Sequence, residues 1–180
     1  MLRFLMPAIL IALFLNPNFG AQTLNRSDEV DIHAPYVATP YPVVDAMLSL
    51  ARVKSTDVLF DLGCGDGRIA IRAAQRYGAH AVCIDINPDI LAVAKANAKR
   101  AGVEHLIRFE EKNVFDTDLT GATVVAMYLL QNMQIKLRPT FESQLKPGAR
   151  IVAHSFDMGS WKPTATKLIA GDRIFLWKIT

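Results

Sequence analysis

Between positions 61 and 85 the chain carries residues of the kind that cradle a nucleoside. Asp61-Leu62-Gly63-Cys64-Gly65-Asp66-Gly67-Arg68 follows the apolar run Val58-Leu59-Phe60. Gly63 and Gly65 lack a Cβ, so the backbone there can turn sharply and approach a ligand, and the helix that follows points unpaired N–H groups toward it. Asp85 closes the next apolar run, where a carboxylate can accept both hydroxyls of a ribose. A glycine turn by itself is needed wherever a chain folds tightly. Paired with an acid at the end of the second strand, it points to a ribose-bearing ligand.

Arg68 narrows the chemistry. A dinucleotide fingerprint requires Gly or Ala at that position, for close strand–helix packing around a pyrophosphate. Here GxGxG is followed by arginine, so NAD and hydride transfer fit poorly.

These residues need a scaffold, and the hydrophobic pattern supplies one. A helix is expected over residues 42–51, with proline at its start, and a strand buried on both faces over 58–61. A helix over 67–77 closed by Gly78 and a strand over 81–85 follow, an order that implies parallel pairing with a right-handed crossover. Asn87-Pro88-Asp89 opens a helix running to 101, with Gly102 as its stop. Strands over 106–110 and 122–128, a helix through Met133, Leu137, Phe141 and Leu145, and a strand over 151–154 continue the alternation. Residues 165–170 and 174–179, around Gly171-Asp172, read as a terminal antiparallel hairpin. The expected fold is an α/β doubly wound, mostly parallel Rossmann-type sheet, whose ligands bind outside the carboxyl ends of the strands where strand order reverses.

The 180 residues, 51% hydrophobic and 21% charged, suit one globular domain over residues 35–180. The net charge of +3 comes from Lys and Arg scattered among acids, without a basic run, so nucleic acid is not an expected partner. Cys64 and Cys83 lie where small buried residues are expected and form no CxxC or Cys/His cluster. They are read as packing residues, not a disulfide, and no metal site is legible. Residues 1–21 begin with Arg3, about a dozen apolar residues and small residues near Ala21. This reads as a signal peptide or an uncleaved anchor, the run being shorter than the roughly 20 residues that span a bilayer; a start upstream of a cytosolic enzyme is the alternative. Residues 22–34 read as a polar linker.

The string from Asp61 to Gly67 resembles motif I of class I S-adenosylmethionine-dependent methyltransferases, and the resemblance runs from Pro35 to about Lys162. It implies S-adenosylmethionine as cofactor. Asp61 would help position the cofactor's amino acid end, with Gly63 and Gly65 in the turn, and Asp85 would bind the ribose with Ile86 beside it. Asn113, Val114 and Phe115 would neighbour the adenine. The family usually has an acid at the position of Asn113; an asparagine carbonyl can still accept from the adenine amine, and a plain turn residue is the other reading. Pro35-Tyr36-Val37-Ala38-Thr39-Pro40 and Tyr128-Leu129-Leu130 resemble a narrower group, the ATP synthase c-subunit and adenine nucleotide translocase lysine methyltransferases and small bacterial relatives. That implies Tyr36 and Thr39 hydroxyls near the cofactor's amino acid end and Tyr128 facing the methyl group, against a core aromatic with a wet hydroxyl.

The activity implied is methyl transfer to a lysine of a protein, in a membrane-associated target given the apolar N-terminus. A small-molecule methyltransferase, a noncatalytic S-adenosylmethionine-binding module and an NAD oxidoreductase are the other readings. Orientation and desolvation supply much of the rate of such a transfer, so no dedicated base is obligatory. His154, Asp157 and Trp161 fall near the site by position but read as capping, core or surface residues. The cofactor is made in the cytosol, whereas a signal would export the domain; an anchor with the domain on the cytosolic side reconciles the two.

Overall fold

The structure, a computed structural model, describes residues 36–180; the signal or anchor and the linker expected over residues 1–34 lie outside them. Helix α1 (Tyr41–Leu50) precedes strand β1 (Val58–Leu62). Then come α2 (Arg68–Tyr77), β2 (His80–Asp85), α3 (Pro88–Arg100) and β3 (Ile107–Glu111). The chain continues through β4 (Val124–Met127), α4 (Gln131–Gln144), β5 (Arg150–His154), β6 (Ala165–Ile169) and β7 (Asp172–Lys178). The seven strands form one sheet in the order β3-β2-β1-β4-β5-β7-β6. Pairing is parallel from β3 to β5, and β7 runs antiparallel to both β5 and β6. The expected α/β architecture and terminal hairpin are both present. The hairpin turns at Ala170-Gly171, both at positive φ, so β7 starts at Asp172 rather than at Ile174.

Alternation along the strands divides the core between the two faces of the sheet. Leu59, Cys83, Ala126 and Val152 pack under α1, α2 and α3 through Met47, Leu48, Ala70, Ala73, Leu91 and Ala94. Phe60, Leu62, Val125, Met127 and Ile151 pack on α4 through Met133, Leu137 and Phe141, with Trp177 and Met158 completing that side. Burial of β1 and β4 on both faces explains why they read as continuous apolar runs. At the amino-terminal edge of the sheet, Arg150 donates to Asp57 Oδ2 and to Ala51 O, and Thr123 Oγ1 donates to Asp57 Oδ1. Asp57 is 5% exposed, so this network satisfies a charge otherwise buried at a cost.

The cysteine expectation is corrected. Cys64 and Cys83 are joined by a disulfide, with Cα atoms 5.3 Å apart. The reason lies in the loop: Gly63 and Cys64 both donate their N–H to Ile84 O at 2.9 Å, which folds the turn after β1 back onto β2. Cys83 stands opposite Asp61 in the parallel register, directly below that turn.

Candidate active site

Strand order reverses between β1 and β4, and the loops after β1, β2 and β4 meet there. They enclose a cavity of about 420 Å³, a volume typical of small-molecule and cofactor sites. Its walls include Tyr36, Thr39, Gly63, Asp85, Ile86, Asn113, Val114 and Tyr128, so eight of the residues expected from the sequence converge on one space.

Asp85 is held by the loops it separates. Gly65 N–H donates to its Oδ2 at 2.9 Å and Asn87 N–H to its Oδ1 at 3.0 Å. Each oxygen keeps a lone pair for a further donor, as a pair of vicinal hydroxyls requires. Ile86, exposed beyond its neighbours in β2, offers an apolar edge beside it. Asn87 caps α3, accepting from Asp89 N–H and Ile90 N–H, so the Asn-Pro-Asp start anticipated from the sequence is what aims the loop.

Asp61 and Gly65 do not line the cavity. Asp61 is 1% exposed, and its Oδ2 accepts the Ala70 N–H. Gly67 occupies the N-cap of α2 in a left-handed conformation and has no side chain to cap with, so the carboxylate of β1 reaches across to serve as the cap. Burial pushes this carboxyl up to about 7, Asp85 and Asp66 adding to the effect and the Ala70 N–H opposing it. Gly65 lies under the Tyr36 ring. Asn113 lines the cavity, and its Oδ1 accepts the Phe115 N–H, capping the short 3-10 turn Val114–Asp116. Its turn role is therefore filled, with the amide nitrogen left as a donor.

Arg68 does more than argue against a pyrophosphate. Its Nη1 donates to Thr39 O at 2.9 Å, its Nη2 reaches the Tyr36 hydroxyl at 3.5 Å, and Nε and Nη2 grip both oxygens of Asp66. The guanidinium thus pins the segment 36–40 across the glycine loop as a strap. Burial alone would raise the Asp66 carboxyl, but the hydrogen bonds and charge of Arg68 hold it below the usual carboxylate range. Desolvation, with Asp66 adding, raises the Tyr36 phenol. On the other wall, Leu129 packs against Gly63, where a Cβ would meet Leu129 Cδ2 at 2.8 Å.

The residues near β5 separate. Asp157 caps its own loop, accepting from Gly159 N–H and Gln131 Nε2, and Trp161 packs beside Trp177, whose Nε1 donates to Trp161 O. Their reading as capping and packing residues holds. His154 differs: it touches Thr39 and Tyr128, two cavity residues. Its place at the end of a strand put it near the site, but the contacts themselves are not legible locally, because one spans 115 residues and the other a strand crossing.

The chain matches the model of the ANTKMT methyltransferase domain over residues 61–165. A protein-lysine N-methyltransferase of Saccharolobus islandicus is 44% identical over 132 residues, which are 73% of this chain and 82% of that protein. The mouse adenine nucleotide translocase lysine N-methyltransferase is 29% identical over 168 residues, 93% of this chain and 70% of the relative. An RNA methyltransferase from Salinibacter ruber, solved in complex with S-adenosyl-L-homocysteine, is 52% identical, with a TM-score of 0.78 over 79% of this chain and 94% of that one. A cavity at the switch point, walled by the glycine turn and Asp85, agrees with this kinship, and the chain belongs to the ANTKMT methyltransferase domain family of S-adenosylmethionine-dependent methyltransferases.

Proposed function

We propose that the protein methylates the ε-amine of a lysine in a protein substrate, with S-adenosylmethionine held in the cavity between the strap and the glycine loop. Asp85 takes the ribose hydroxyls, with Ile86, Asn113 and Val114 around the adenine. Tyr36 and Thr39 face the amino acid end, and Tyr128 stands on the acceptor side. When bound, the cofactor supplies an electrophilic methyl carbon on a positively charged sulfur. The protein's own part is to bind, orient and exclude water, which is where most of the rate of such a transfer originates. A lysine amine has an unperturbed pKa of about 10.4, so it loses its proton to water as it leaves solvent for the apolar wall formed by Leu129, Met133 and Tyr128.

The observation that carries the choice of a protein acceptor is the cavity mouth. Tyr36 and Val37 line the cavity and are 52% and 59% exposed, so a single side chain can enter while its polypeptide stays on the surface. The Saccharolobus and mouse relatives, named as protein-lysine methyltransferases, support the same reading.

The Salinibacter relative favours RNA as a second reading. Against it stands the charge of the site: the ionic side chains on its wall are Asp66, Arg68 and Asp85, and Arg68 is neutralised by Asp66. A groove that tracks phosphates needs unpaired cations. The test is transfer of labelled methyl from S-adenosylmethionine to cell extract, followed by protease or ribonuclease digestion. Label recovered as methyl-lysine supports the proposal. Label lost with ribonuclease, or found in low-mass compounds, replaces it, and tight cofactor binding without turnover makes the protein a binding module.

We also propose that residues 1–21 tether the protein to a membrane. The disulfide fits an oxidising compartment and cofactor supply fits the cytosol; protease accessibility of the domain in intact cells decides which side it occupies.

A further inference from the structure

Three contacts converge on one buried imidazole. His154, the last residue of β5, is 2% exposed. Its Nδ1 lies 3.2 Å from Thr39 Oγ1 and its Nε2 lies 3.3 Å from Asp172 Oδ1. Its ring centre is 4.0 Å from that of Tyr128. A tight turn fixes it there: Ser155 has φ +64° and Phe156 N–H donates back to His154 O, ending the strand abruptly. Backbone held in that region is costly for serine and is found where the surroundings demand it.

The protons of this cluster can be placed. The titratable groups against the ring are Asp172 from β7 and the Tyr128 phenol from the loop after β4, and the strap contributes the Thr39 hydroxyl. Burial holds the imidazole below the ordinary histidine range, with Asp172 opposing, so the ring is neutral at physiological pH. A neutral ring has one N–H. The Nε2 contact with Asp172 is too bent to be a hydrogen bond, yet a carboxylate oxygen at that distance attracts an N–H and repels a lone pair. The proton therefore sits on Nε2, Nδ1 is an acceptor, and the Thr39 hydroxyl donates to it. Thr39 O is already taken by Arg68. What Thr39 Oγ1 has left for the cavity is lone pairs.

We propose that His154 is a positioning residue for the methyl donor: by accepting the Thr39 proton it turns an acceptor oxygen toward the cofactor's α-ammonium, while its ring backs the face of Tyr128. This rests on the cofactor placement proposed above. Protonation of His154 reverses the hydrogen bond, turns the Thr39 hydrogen into the cavity and weakens the donor's binding.

The test is calorimetric titration with S-adenosylhomocysteine, which shares the amino acid end, from about pH 8 to about pH 5. Thr39→Val and His154→Ala should each weaken binding about 10-fold, and the double variant should be no weaker than either. His154→Asn, whose amide oxygen can take the Thr39 proton, should recover most of the loss, and it should lack the fall in affinity that the wild-type protein shows toward acid pH. Additive effects in the double variant, or His154→Asn as weak as His154→Ala, would overturn the proposal. If His154→Ala does not fold, Thr39→Ser against Thr39→Val decides it, since serine keeps the hydroxyl; equal binding by the two sinks the idea. An Asp85→Asn variant that binds as wild type fails the cofactor placement, a result separate from this one.

Discussion

The Tyr36 ring lies on Gly65 so closely that a Cβ added to the glycine would come within 2.4 Å of Tyr36 Cε2. The glycine of the loop therefore makes room for the strap, while Gly63 makes room for Leu129. Gly65→Ala should push the strap away and place a side chain at φ +54°, costing about 1–2 kcal/mol in backbone strain alone. Calorimetry with S-adenosylhomocysteine should show a loss of about 10-fold or more. Adding Tyr36→Ala should return part of the stability but not the affinity, and a Gly65→Ala protein with unchanged binding would contradict the strap geometry.

Asp85→Asn keeps the size of the side chain and replaces one acceptor oxygen by a donor. The oxygens of Asp85 each hold one backbone N–H, so the amide must turn its NH₂ either on Gly65 N–H or on Asn87 N–H. Loss of a charge-assisted hydrogen bond is worth about 1.5–3 kcal/mol, or about 10- to 100-fold in cofactor affinity. Circular dichroism should show the domain still folded. Binding within about two-fold of wild type would move the ribose elsewhere.

Asp61 predicts a pH dependence of stability. Burial raises its folded carboxyl to about 7 against an ordinary 3.8, so between those two values the folded protein holds a proton that the unfolded chain releases. This contribution is complete below 3.8 and lost as pH rises through about 7. Asp61→Asn retains an acceptor for the Ala70 N–H without a charge to bury. Urea midpoints measured across that range should fall with pH more steeply for the wild type than for the variant, and above neutral pH the variant should be the more stable. Parallel curves would refute the assignment.

The disulfide closes a separation of 19 residues, for which chain entropy gives about 3 kcal/mol. Cys64→Ala/Cys83→Ala should unfold at correspondingly lower urea, and it should bind S-adenosylhomocysteine more weakly because Cys64 is part of the cavity wall. Alkylation of the native protein should label neither cysteine until reductant is added. Labelling without reductant would mean the thiols are free.

The elements were legible because each is encoded locally. Asn87-Pro88-Asp89 announces α3 with a cap, a fixed φ and an acid at the helix N-terminus, and the structure starts α3 at Pro88. Val58-Leu59-Phe60 announces a strand covered on both faces, and β1 lies inside the sheet between β2 and β4. The cavity wall was legible for a related reason: in a doubly wound sheet the loops after β1 and β2 meet at the switch point whatever their sequence, so naming the loops names the wall. Thr39 and Tyr128 came from resemblance to a family, and periodicity would not have found them.

What the sequence determined alone was the order of elements, the switch-point site and the acid that closes β2 beside it, because strand period, helix caps and glycine turns act over a few residues. What only the tertiary structure decided was which side chains meet. Cys64 reaches Cys83 because the loop hydrogen-bonds back to Ile84, Asp61 becomes a helix cap because Gly67 has no side chain, and His154 joins the site because β7 and the strap close on it from opposite sides. These pairings depend on register and on packing across the sheet, and a register is set by all the strands together.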